Sequence, residues 1–418
     1  MNGTATPSST PCTASTPFRI ALATETFPPE VNGVALTIAR LVDGLRRAGH
    51  SVRVIRPRQP SDPRPPSPCP DADVLAPGAP IPFYPQLRFG LPVFARLRRL
   101  WKAKRPDVVH VVTEGPLGLS ALAAARSLGI PVCSEFRTNF HAYSAHYGAA
   151  WLSGAVLAYL RWFHNRTEIT VAPTRRLARQ LETAGFDRLS VVARGIDTRL
   201  FSPDLRCNAL RASWGASPES LVALYVGRLA HEKNLPVLIS AFQNLRRRHP
   251  DARLVLVGDG PARDSIARAC PDAILAGVQK GACLARHYAS ADVFLFSSLT
   301  ETFGNVTLEA MASGLAVLAF DHAAAGELIN PGVNGLLAAP GDNPQFIRML
   351  AELAADPQQI LRLKSAARAS VLGMDWSRII DQLAHVYQGL IERSQTTAAS
   401  SPRPTARKPV GSDEPLPS

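Results

Sequence analysis

Residues 292–320 read DVFLFSSLTETFGNVTLEAMASGLAVLAF and hold the pattern that decides the fold. DVFLFSS (292–298) predicts a buried strand, GNVTLEAMAS predicts a helix stopped by Gly314, and LAVLAF (315–320) predicts a second buried strand. Apolar strands joined by a helix are typical of a parallel sheet that is covered on both faces. The stretch therefore predicts one unit of an α/β fold.

The same alternation of apolar runs and amphipathic stretches continues through most of the chain. Helices are expected after Gly33, over 92–104, over 117–128 and over 376–392, where Asp375 is the expected N-cap. The predicted strands form two series: 19–24, 51–57, 107–113, 131–136, 168–174 and 190–196, then 221–227, 252–258, 273–278, 292–298 and 315–320. Because the second series starts afresh, we expect an α/β protein of two doubly wound, Rossmann-like domains that face a cleft.

Length and composition indicate how these elements are organised. A chain of 418 residues is too long for one ordinary core. Its ends are rich in Ser, Thr, Pro and Ala and have few large apolar side chains to bury. The expected order is a disordered tail (1–17), a first domain (18–196), an interdomain linker (197–218), a second domain (219–375), a C-terminal helix (376–393) and a disordered tail (394–418). The C-terminal helix is compatible with packing on either domain.

Charge and cysteine content limit the classes of partner. The net charge of +13 and a pI near 10 indicate an anionic partner, whether nucleic acid, a lipid surface or a phosphorylated substrate. Six scattered cysteines without a C-x-x-C motif argue against a metal or redox role. No apolar run reaches the roughly 18 to 20 residues of a spanning helix, and the N-terminus lacks the features of a signal peptide. We therefore expect a cytoplasmic protein with peripheral membrane contact.

Two acids mark the loop and the helix of the 292–320 unit. Glu301 lies in the loop after the strand, and Glu309 lies inside the helix. The amides around Phe303, Gly304 and Asn305 form a helix N-terminus that attracts phosphate. Acids on both sides of a phosphate-binding turn fit a nucleotide sugar, one for the hexose and one for the ribose. The alternative, acids on a solvated helix face, fits Glu309 poorly because apolar residues flank it.

Further candidate residues stand at other strand ends. Arg228 and Lys233 share one loop, and two cations there suit a diphosphate. The alternative is a solvated loop in which they pair with Glu232. Gly33 begins a helix, where it either lets an anion approach the backbone or only shapes a turn. Val278 flanks a turn whose backbone is suited to meet a nucleobase.

Taken together, these segments resemble the retaining GT-B glycosyltransferases of the family-4 type, especially the bacterial lipid mannosyl-, glucosyl- and sulfoquinovosyltransferase-like branch. The similarity spans about residues 18–392 and rests on FPPEVNGVALTIARLVDGLRRAGHSVRVIRP, SEFRTNFHAYSAHYG, VGRLAHEKNLPVLISAF, VGDGP and TETFGNVTLEAMASGLAVLAF. The resemblance implies that the first domain binds an acceptor and the second a nucleotide sugar. It also implies hexose transfer from GDP-mannose or a UDP-hexose without a metal or other cofactor.

The resemblance also assigns roles. Arg228 and Lys233 would bind the donor diphosphate above Gly33, Glu309 would hold the ribose, and Glu301 would hold the transferred sugar near the 303–305 backbone. Such enzymes retain anomeric configuration by front-face attack, and the leaving phosphate helps to deprotonate the acceptor. No carboxylate nucleophile is then needed, and the two cations stabilise charge on the departing diphosphate.

One segment departs from the family pattern. Relatives commonly read HTNF where this chain has Arg137-Thr138-Asn139-Phe140. The histidine often placed near the transferred sugar is therefore arginine here, and His141 either replaces it or forms structural hydrogen bonds. We expect both Arg137 and His141 to line the cleft as catalytic residues.

Two segments of the first domain combine basic and aromatic side chains: LRFGLPVFARLRRLWKAKRP (87–106) and WLSGAVLAYLRWFHNR (151–166). Amphipathic basic helices of this type lie on anionic bilayers. In the alternative, the apolar faces pack on the sheet and the arginines are solvated. Both segments together favour a lipid acceptor and an anionic membrane surface as partners, at the inner face of the membrane.

Other functions compete with this interpretation. Nucleic acid would also explain the charge, but no nucleic-acid-binding motif accompanies it, so we expect no nucleic-acid partner. A soluble or polysaccharide acceptor, an epimerase or phosphorylase of the same architecture, and a non-catalytic nucleotide-sugar binding module are further alternatives. The lack of G-x-G-x-x-G after a strand argues against a dinucleotide-dependent oxidoreductase. Metal-dependent transferases need a D-x-D at a strand end, and the match Asp71-Ala72-Asp73 lies in a proline-rich stretch.

Overall fold

Two parallel sheets organise the protein in its computed structural model, which describes residues 17–30, 33–62, 73–81, 84–137, 150–301 and 303–400. The strands are β1 (Arg19–Ala23), β2 (Ser51–Pro57), β3 (Val74–Ala76), β4 (Gly78–Ile81), β5 (Tyr84–Gly90), β6 (Val108–Val111), β7 (Val132–Glu135), β8 (Ile169–Ala172), β9 (Leu189–Val191), β10 (Val222–Val226), β11 (Arg253–Val257), β12 (Ile274–Gly277), β13 (Val293–Phe296), β14 (Ala316–Phe320) and β15 (Leu336–Ala338). The first sheet has the order β3-β2-β1-β6-β7-β8-β9, and the second has the order β12-β11-β10-β13-β14-β15. β4 and β5 form a separate antiparallel pair.

Helices cover both faces of each sheet. They are α1 (Gly33–Arg47), α2 (Phe94–Ala103), α3 (Pro116–Ser127), α4 (Ala150–His164), α5 (Arg175–Thr183), α6 (Asn208–Ser213), α7 (Leu235–Arg246), α8 (Arg263–Ala269), α9 (Gly281–Ser290), α10 (Asn305–Ala312), α11 (Ala323–Leu328), α12 (Asn343–Ala355), α13 (Pro357–Val371) and α14 (Trp376–Ser400). Three short 3₁₀ turns lie at Pro203–Leu205, His231–Lys233 and Leu372–Met374. Each predicted strand overlaps an observed strand, and the two doubly wound domains are confirmed.

The strands that the sequence did not predict are short or irregular. β3 and β15 have three residues each and lie at sheet edges, so neither provides a long apolar run. β4 and β5 contain proline and glycine, which interrupt the alternation that marks a strand. Such segments are defined by the strand beside them more than by their own pattern.

The C-terminal helix packs on the first domain. Ile380, Leu383 and Tyr387 of α14 are buried in the same cluster as the apolar face of α1. A Cβ added at Gly44 would lie 2.6 Å from Ile380, so glycine permits the close approach of the two helices. The chain therefore returns from the second domain to the first at its end.

Helix α14 is also longer than expected. We expected a disordered tail from residue 394, but the helix continues to Ser400. Thr396 donates to the Glu392 carbonyl at 3.0 Å within this part of the helix. Residues 394–400 contain no proline or glycine, and the first proline beyond them is Pro402, which disfavours helix at the preceding position. The helix therefore continues through residues that have few apolar side chains, because none of them is a helix breaker.

Residues 197–218, the expected linker, are folded against the second domain. They include α6, and they contribute Phe201 and Trp214 to its core. Arg211 of α6 is fully buried and pairs with Asp292 at 3.0 Å. These contacts hold the start of the second domain to the strand β13 that follows Asp292.

Polar contacts join the two domains. The Glu327 carboxylate in α11 accepts hydrogen bonds from the amides of Arg175 and Arg176, at 3.0 and 3.2 Å, at the start of α5. Arg176 also pairs with Asp321 at 2.5 Å. Within the described ranges, no helix is both long enough and apolar enough to cross a membrane.

Candidate active site

The two main predicted segments meet at the carboxyl edge of the second sheet. Lys233, in the loop after β10, forms an ion pair through Nζ with Glu301, in the loop after β13. Ser298 Oγ donates to the same Glu301 oxygen at 3.1 Å. Both charged side chains are mostly buried, with exposed fractions of 17% for Lys233 and 20% for Glu301. The structure thus brings together residues that are 68 positions apart.

Hydrogen bonds hold the two loops against each other. Ser297 Oγ donates to the Lys233 carbonyl at 2.9 Å, and Thr300 Oγ1 donates to the Glu232 carbonyl at 3.1 Å. The loop after β13 therefore supports the backbone that carries the two cations. A site built on such supported loops needs little reorganisation when a ligand arrives.

Arg228 stands at the open side of this loop. Its side chain is 59% exposed and lies 3.9 Å from Glu232, so the pairing that we considered as an alternative exists but is long and solvated. Its carbonyl accepts a hydrogen bond of 3.0 Å from the hydroxyl of Tyr225, which is fully buried. The backbone of Arg228 is therefore held while its guanidinium faces solvent.

Two glycines let backbone segments come close at this edge. Gly258 has a φ of +142°, and a Cβ there would lie 1.9 Å from the Gly227 carbonyl. Gly304 has a φ of +85° directly before α10. Only glycine adopts both conformations without strain. These glycines therefore determine the path of the backbone in the loops after β11 and β13.

Glu309 lies inside α10 beside a buried tyrosine. Tyr288 donates from its hydroxyl to Glu309 Oε2 at 2.9 Å. Burial raises the pKa of Glu309, and the Tyr288 hydrogen bond and the charge of Arg40 on α1 offset only part of the rise. Arg40 belongs to the first domain, so charge from across the cleft acts on this carboxylate.

The predicted phosphate-binding turn at Phe303–Asn305 contacts the first domain. Asn305 Oδ1 accepts from Arg194 Nη1 at 3.2 Å, and Asn305 Nδ2 lies 3.4 Å from Thr37 Oγ1 on α1. The Arg194 guanidinium also lies 5.0 Å from the centre of the Phe303 ring. Arg194 and Thr37 therefore connect the turn to the opposite domain.

Arg137 is buried beneath the cleft and pairs with Glu135 at 2.7 Å. Burial and the charge of Arg137 lower the pKa of Arg194 to about 9, while Glu135 and Glu301 act in the opposite direction. The charges of Arg137, Glu135 and Glu301 therefore all act on Arg194. His141 falls within 138–149, outside the described residues, so its expected place in the cleft stays a prediction.

The other two candidates lie at the edges of the site. Gly33 begins α1, is exposed, and has no atom within 4 Å of a Cβ added to it. Its carbonyl accepts from Thr37 Oγ1 at 2.7 Å. Val278 follows the edge strand β12 and is 61% exposed. Both lie at the carboxyl edges of their sheets.

The two basic segments are only partly as expected. Leu97 and Trp101 of α2 are buried in the core of the first domain, so this part of the apolar side packs on the sheet, as in the alternative that the sequence left open. Core packing takes the residues at helical spacing that face the sheet. Phe94 remains 42% exposed on α2, and Trp162 remains 42% exposed on α4 with Arg166 stacked 4.1 Å above its ring.

The D-x-D match has another role in the described residues. Asp73 pairs with Arg56 at 3.5 Å and with Arg46 at 3.8 Å, while Asp71 lies outside the described part of the chain. Within that part, no cluster of three or more His, Cys, Asp or Glu side chains is arranged to hold a metal ion.

Several residues of the site escaped the sequence interpretation. His322 Nε2 lies 3.1 Å from the Glu301 carbonyl, and Tyr288, Tyr225 and Thr37 act through hydroxyl groups. A tyrosine or threonine inside an apolar run has no sequence pattern that marks its hydroxyl group as part of a site. Arg194, by contrast, lies within the predicted strand 190–196, whereas the observed strand β9 already ends at Val191 and leaves Arg194 in the loop beyond it.

Comparisons with known proteins identify the family and the fold of the chain. The family model of Glycosyltransferase Family 4 matches residues 31–200, and that of Glycosyl transferases group 1 matches residues 220–356. A GDP-mannose-dependent alpha-mannosyltransferase of Mycobacterium tuberculosis is 35% identical over 384 residues, covering 91% of this chain and 99% of that protein. An alpha-monoglucosyldiacylglycerol synthase of Acholeplasma laidlawii is 27% identical, covering 84% and 92%. Sucrose-phosphate synthase from Thermosynechococcus elongatus superposes with a TM-score of 0.71 at 19% identity, covering 91% and 99%, which confirms the GT-B fold.

Proposed function

The chain belongs to glycosyltransferase family 4 and acts on nucleotide sugars, and on that premise we propose that it transfers a hexose, with retention of configuration, from GDP-mannose or a UDP-hexose to a lipid. The proposed acceptor is diacylglycerol or a glycolipid at the inner face of the membrane. The names of two relatives support these choices, since one depends on GDP-mannose and the other makes glucosyldiacylglycerol. A soluble or polysaccharide acceptor is the alternative.

The contact between Lys233 and Glu301 carries the donor-site proposal. A donor diphosphate placed at Arg228 and Lys233 would neutralise the two cations. Lys233 would then share its charge between phosphate and Glu301, leaving carboxylate oxygens to accept from hexose hydroxyls. Glu309 is proposed to accept from ribose hydroxyls, and the amides at the start of α10 are proposed to meet a phosphate. Val278 is proposed to lie near the base.

A retaining, metal-independent mechanism fits the chemistry of these side chains. Glu301 is engaged by Lys233 and Ser298, so its carboxylate is better suited to hold hydroxyls than to attack the anomeric carbon. Arg228 and Lys233 supply positive charge where the diphosphate departs, which is work that a metal ion does in other transferases. We propose that the departing phosphate accepts the proton of the acceptor hydroxyl. His141 is proposed to act on the sugar side of the cleft, and Arg137, which is buried against Glu135, is proposed to act there by positioning neighbouring groups.

The membrane proposal rests on one face of the first domain, formed by α2, α3 and α4. None of these three helices contains an acidic residue. We name the basic face by its exposed members: Leu91, Phe94, Arg98, Arg99, Lys102, Arg126, Tyr159, Trp162 and Arg166. Exposed aromatic rings among cations suit an anionic lipid surface.

Transfer itself is tested by offering GDP-mannose and UDP-hexoses, with radiolabelled sugar, to extracted lipid, diacylglycerol and soluble sugars. Label in the lipid fraction supports the proposal, and analysis of the glycosidic bond reports whether configuration is retained. Label only in a soluble product favours the alternative acceptor. Donor binding without labelled product would leave a nucleotide-sugar binding module. Transfer that persists in excess chelator supports metal independence.

Membrane contact is tested with vesicles of anionic and neutral lipids. Arg98 and Arg99 extend into solvent, whereas Arg96 donates to the Leu75 carbonyl at 2.8 Å, so the first two are the better targets. Each cation near a charged surface contributes about 1 kcal/mol, so R98Q/R99Q should weaken binding by about 30-fold at low salt. The matched control is R247Q/R248Q, which removes the same charge from the second domain. Equal sedimentation of both variants would contradict the proposed face.

A further inference from the structure

A small cavity lies directly behind the Phe303–Asn305 turn, between the ends of β6 and β7, α1 and the start of α14. Its polar lining comes from Thr37, His110, Glu135, Arg137, Arg194 and Trp376. The remaining wall is apolar and belongs to α1, β8, the segment that follows β9, and α14. The cavity has room for about one particle of water size.

Unpaired hydrogen-bond donors are concentrated in this cavity. In the described residues, nine buried side-chain nitrogen or oxygen atoms lack a hydrogen-bond partner. Five of the nine belong to four residues of the cavity lining: His110 Nε2, Arg137 Nε and Nη1, Arg194 Nε and Trp376 Nε1. Because leaving one buried donor unpaired costs about 1–3 kcal/mol, five around one small space indicate a ligand that accepts them.

The protonation of His110 can be assigned from its neighbours. Its Nδ1 lies 2.6 Å from the Tyr387 hydroxyl, and its Nε2 lies 3.7 Å from Glu135 Oε2. A carboxylate near Nε2 favours the tautomer with the proton on Nε2, so Nδ1 accepts from the tyrosine. Burial lowers the pKa of His110 to about 4, so the ring is neutral near pH 7. Each of the five unpaired atoms therefore carries a proton.

The charge of the lining selects the kind of acceptor. Arg137 and Arg194 are cationic and Glu135 is anionic, while His110 is neutral, so these four side chains together carry one positive charge. Glu135 has its nearest cation in Arg137, at 2.7 Å. A water molecule would bring two further donors into a space already rich in donors. A monovalent anion brings none and cancels the remaining charge.

We propose that this cavity binds a single chloride ion between Arg137, Arg194 and the indole N–H of Trp376. The ion holds the two guanidinium groups behind the turn that carries Asn305. Since Arg194 donates to Asn305 at 3.2 Å, the ion stabilises the contact between the two domains at this point. Binding of the ion does not depend on the proposed donor or acceptor.

The test uses the full-length protein in sodium chloride, bromide and gluconate at equal ionic strength. We expect a saturable rise of the thermal midpoint in chloride and bromide over gluconate, and an anomalous bromide peak in the cavity of soaked crystals. Trp376→Phe removes one charge-assisted hydrogen bond, so the halide concentration at half effect should rise about tenfold. Trp214→Phe, at a buried tryptophan of the second domain, should leave it unchanged.

The outcomes separate an ion from a water molecule. Equal midpoints in chloride and gluconate, together with no bromide peak, would overturn the proposal and assign the cavity to water. If Trp376→Phe does not fold, the bromide peak in the unaltered protein decides. Halide-dependent stability without transfer activity would leave the ion site intact and contradict only the proposed function.

Discussion

Replacing Glu301 with glutamine separates its proposed work on the sugar from its structural work. Glutamine keeps the volume and one carbonyl oxygen that can accept from Lys233 and Ser298, but it removes the negative charge. Alanine would instead leave Lys233, only 17% exposed, without its partner. Removal of one member of a buried ion pair costs about 3–5 kcal/mol, and an exposed pair is worth at most about 1 kcal/mol.

The Lys233–Glu301 pair lies between these limits because each side chain is about one fifth exposed. We therefore expect Glu301→Ala to lower the free energy of unfolding by about 2–3 kcal/mol and Glu301→Gln by about 1 kcal/mol. Each hydrogen bond to a charged acceptor contributes about 1.5–3 kcal/mol, so losing charge-assisted bonds to two hexose hydroxyls should slow transfer by about 10² to 10⁴-fold.

Urea unfolding, calorimetric titration with the free nucleoside diphosphate and transfer assays measure the three quantities. The diphosphate lacks the hexose, so its affinity for Glu301→Gln should stay within a few-fold of the unaltered protein. Glu352→Gln, at an exposed glutamate of α12, is the matched control for the charge change. Turnover of folded Glu301→Gln near that of the control would refute the role of Glu301 at the sugar.

Three further predictions concern charge and strain. Because the pKa of Glu309 is raised in the folded protein, its carboxylate is protonated on acidification at a higher pH than a free glutamate. Titration of the protein with donor at several pH values should show the affinity falling over that pH range in the unaltered protein and not in Glu309→Gln. The pKa of Asp292 is lowered because the charges of Lys364, Arg206 and Arg211 outweigh its burial. The ionised carboxylate therefore stabilises the fold above its unfolded pKa, and this stabilisation is lost as the pH falls through the folded pKa. Asp292→Asn should lower the free energy of unfolding, measured in urea, by about 3–5 kcal/mol at pH 7 and by much less in acid. Ala323 has a φ of +49°, so Ala323→Gly should raise the free energy of unfolding by about 0.5–1 kcal/mol, and a fall would show that the turn is not strained.

Much of the fold follows from local pattern. The strands that form the centre of each sheet are apolar runs, such as 222–226 and 293–296, and a continuous apolar run predicts a strand that is buried on both faces. The edge strand β15 has only three residues and was not predicted. The end of α14 was misplaced because amphipathicity identifies a buried face, whereas a helix can continue beyond that face until a breaker occurs.

The candidate site divides in the same way. Glu301 and Lys233 were identified because strand ends in a parallel sheet gather at one edge, which makes their meeting a consequence of topology. The partners of Glu309 and Asn305 were not identified, since Tyr288 and Thr37 look like ordinary members of helices. Trp101 shows the opposite case, because a tryptophan among cations suggested a surface and the fold placed it in the core.

The sequence by itself determined the central strands of the two parallel sheets, their alternation with helices along the chain, and the loops that carry charged residues, because each depends on spacing along the chain. Only the tertiary structure decided that Lys233 pairs with Glu301, that α14 returns to the first domain, and that unpaired donors of Arg137, Arg194 and Trp376 surround one cavity. These features depend on which surfaces meet across hundreds of residues. The contact between these surfaces, and not the local pattern, decides which charged side chains are buried and whether a buried one has a partner.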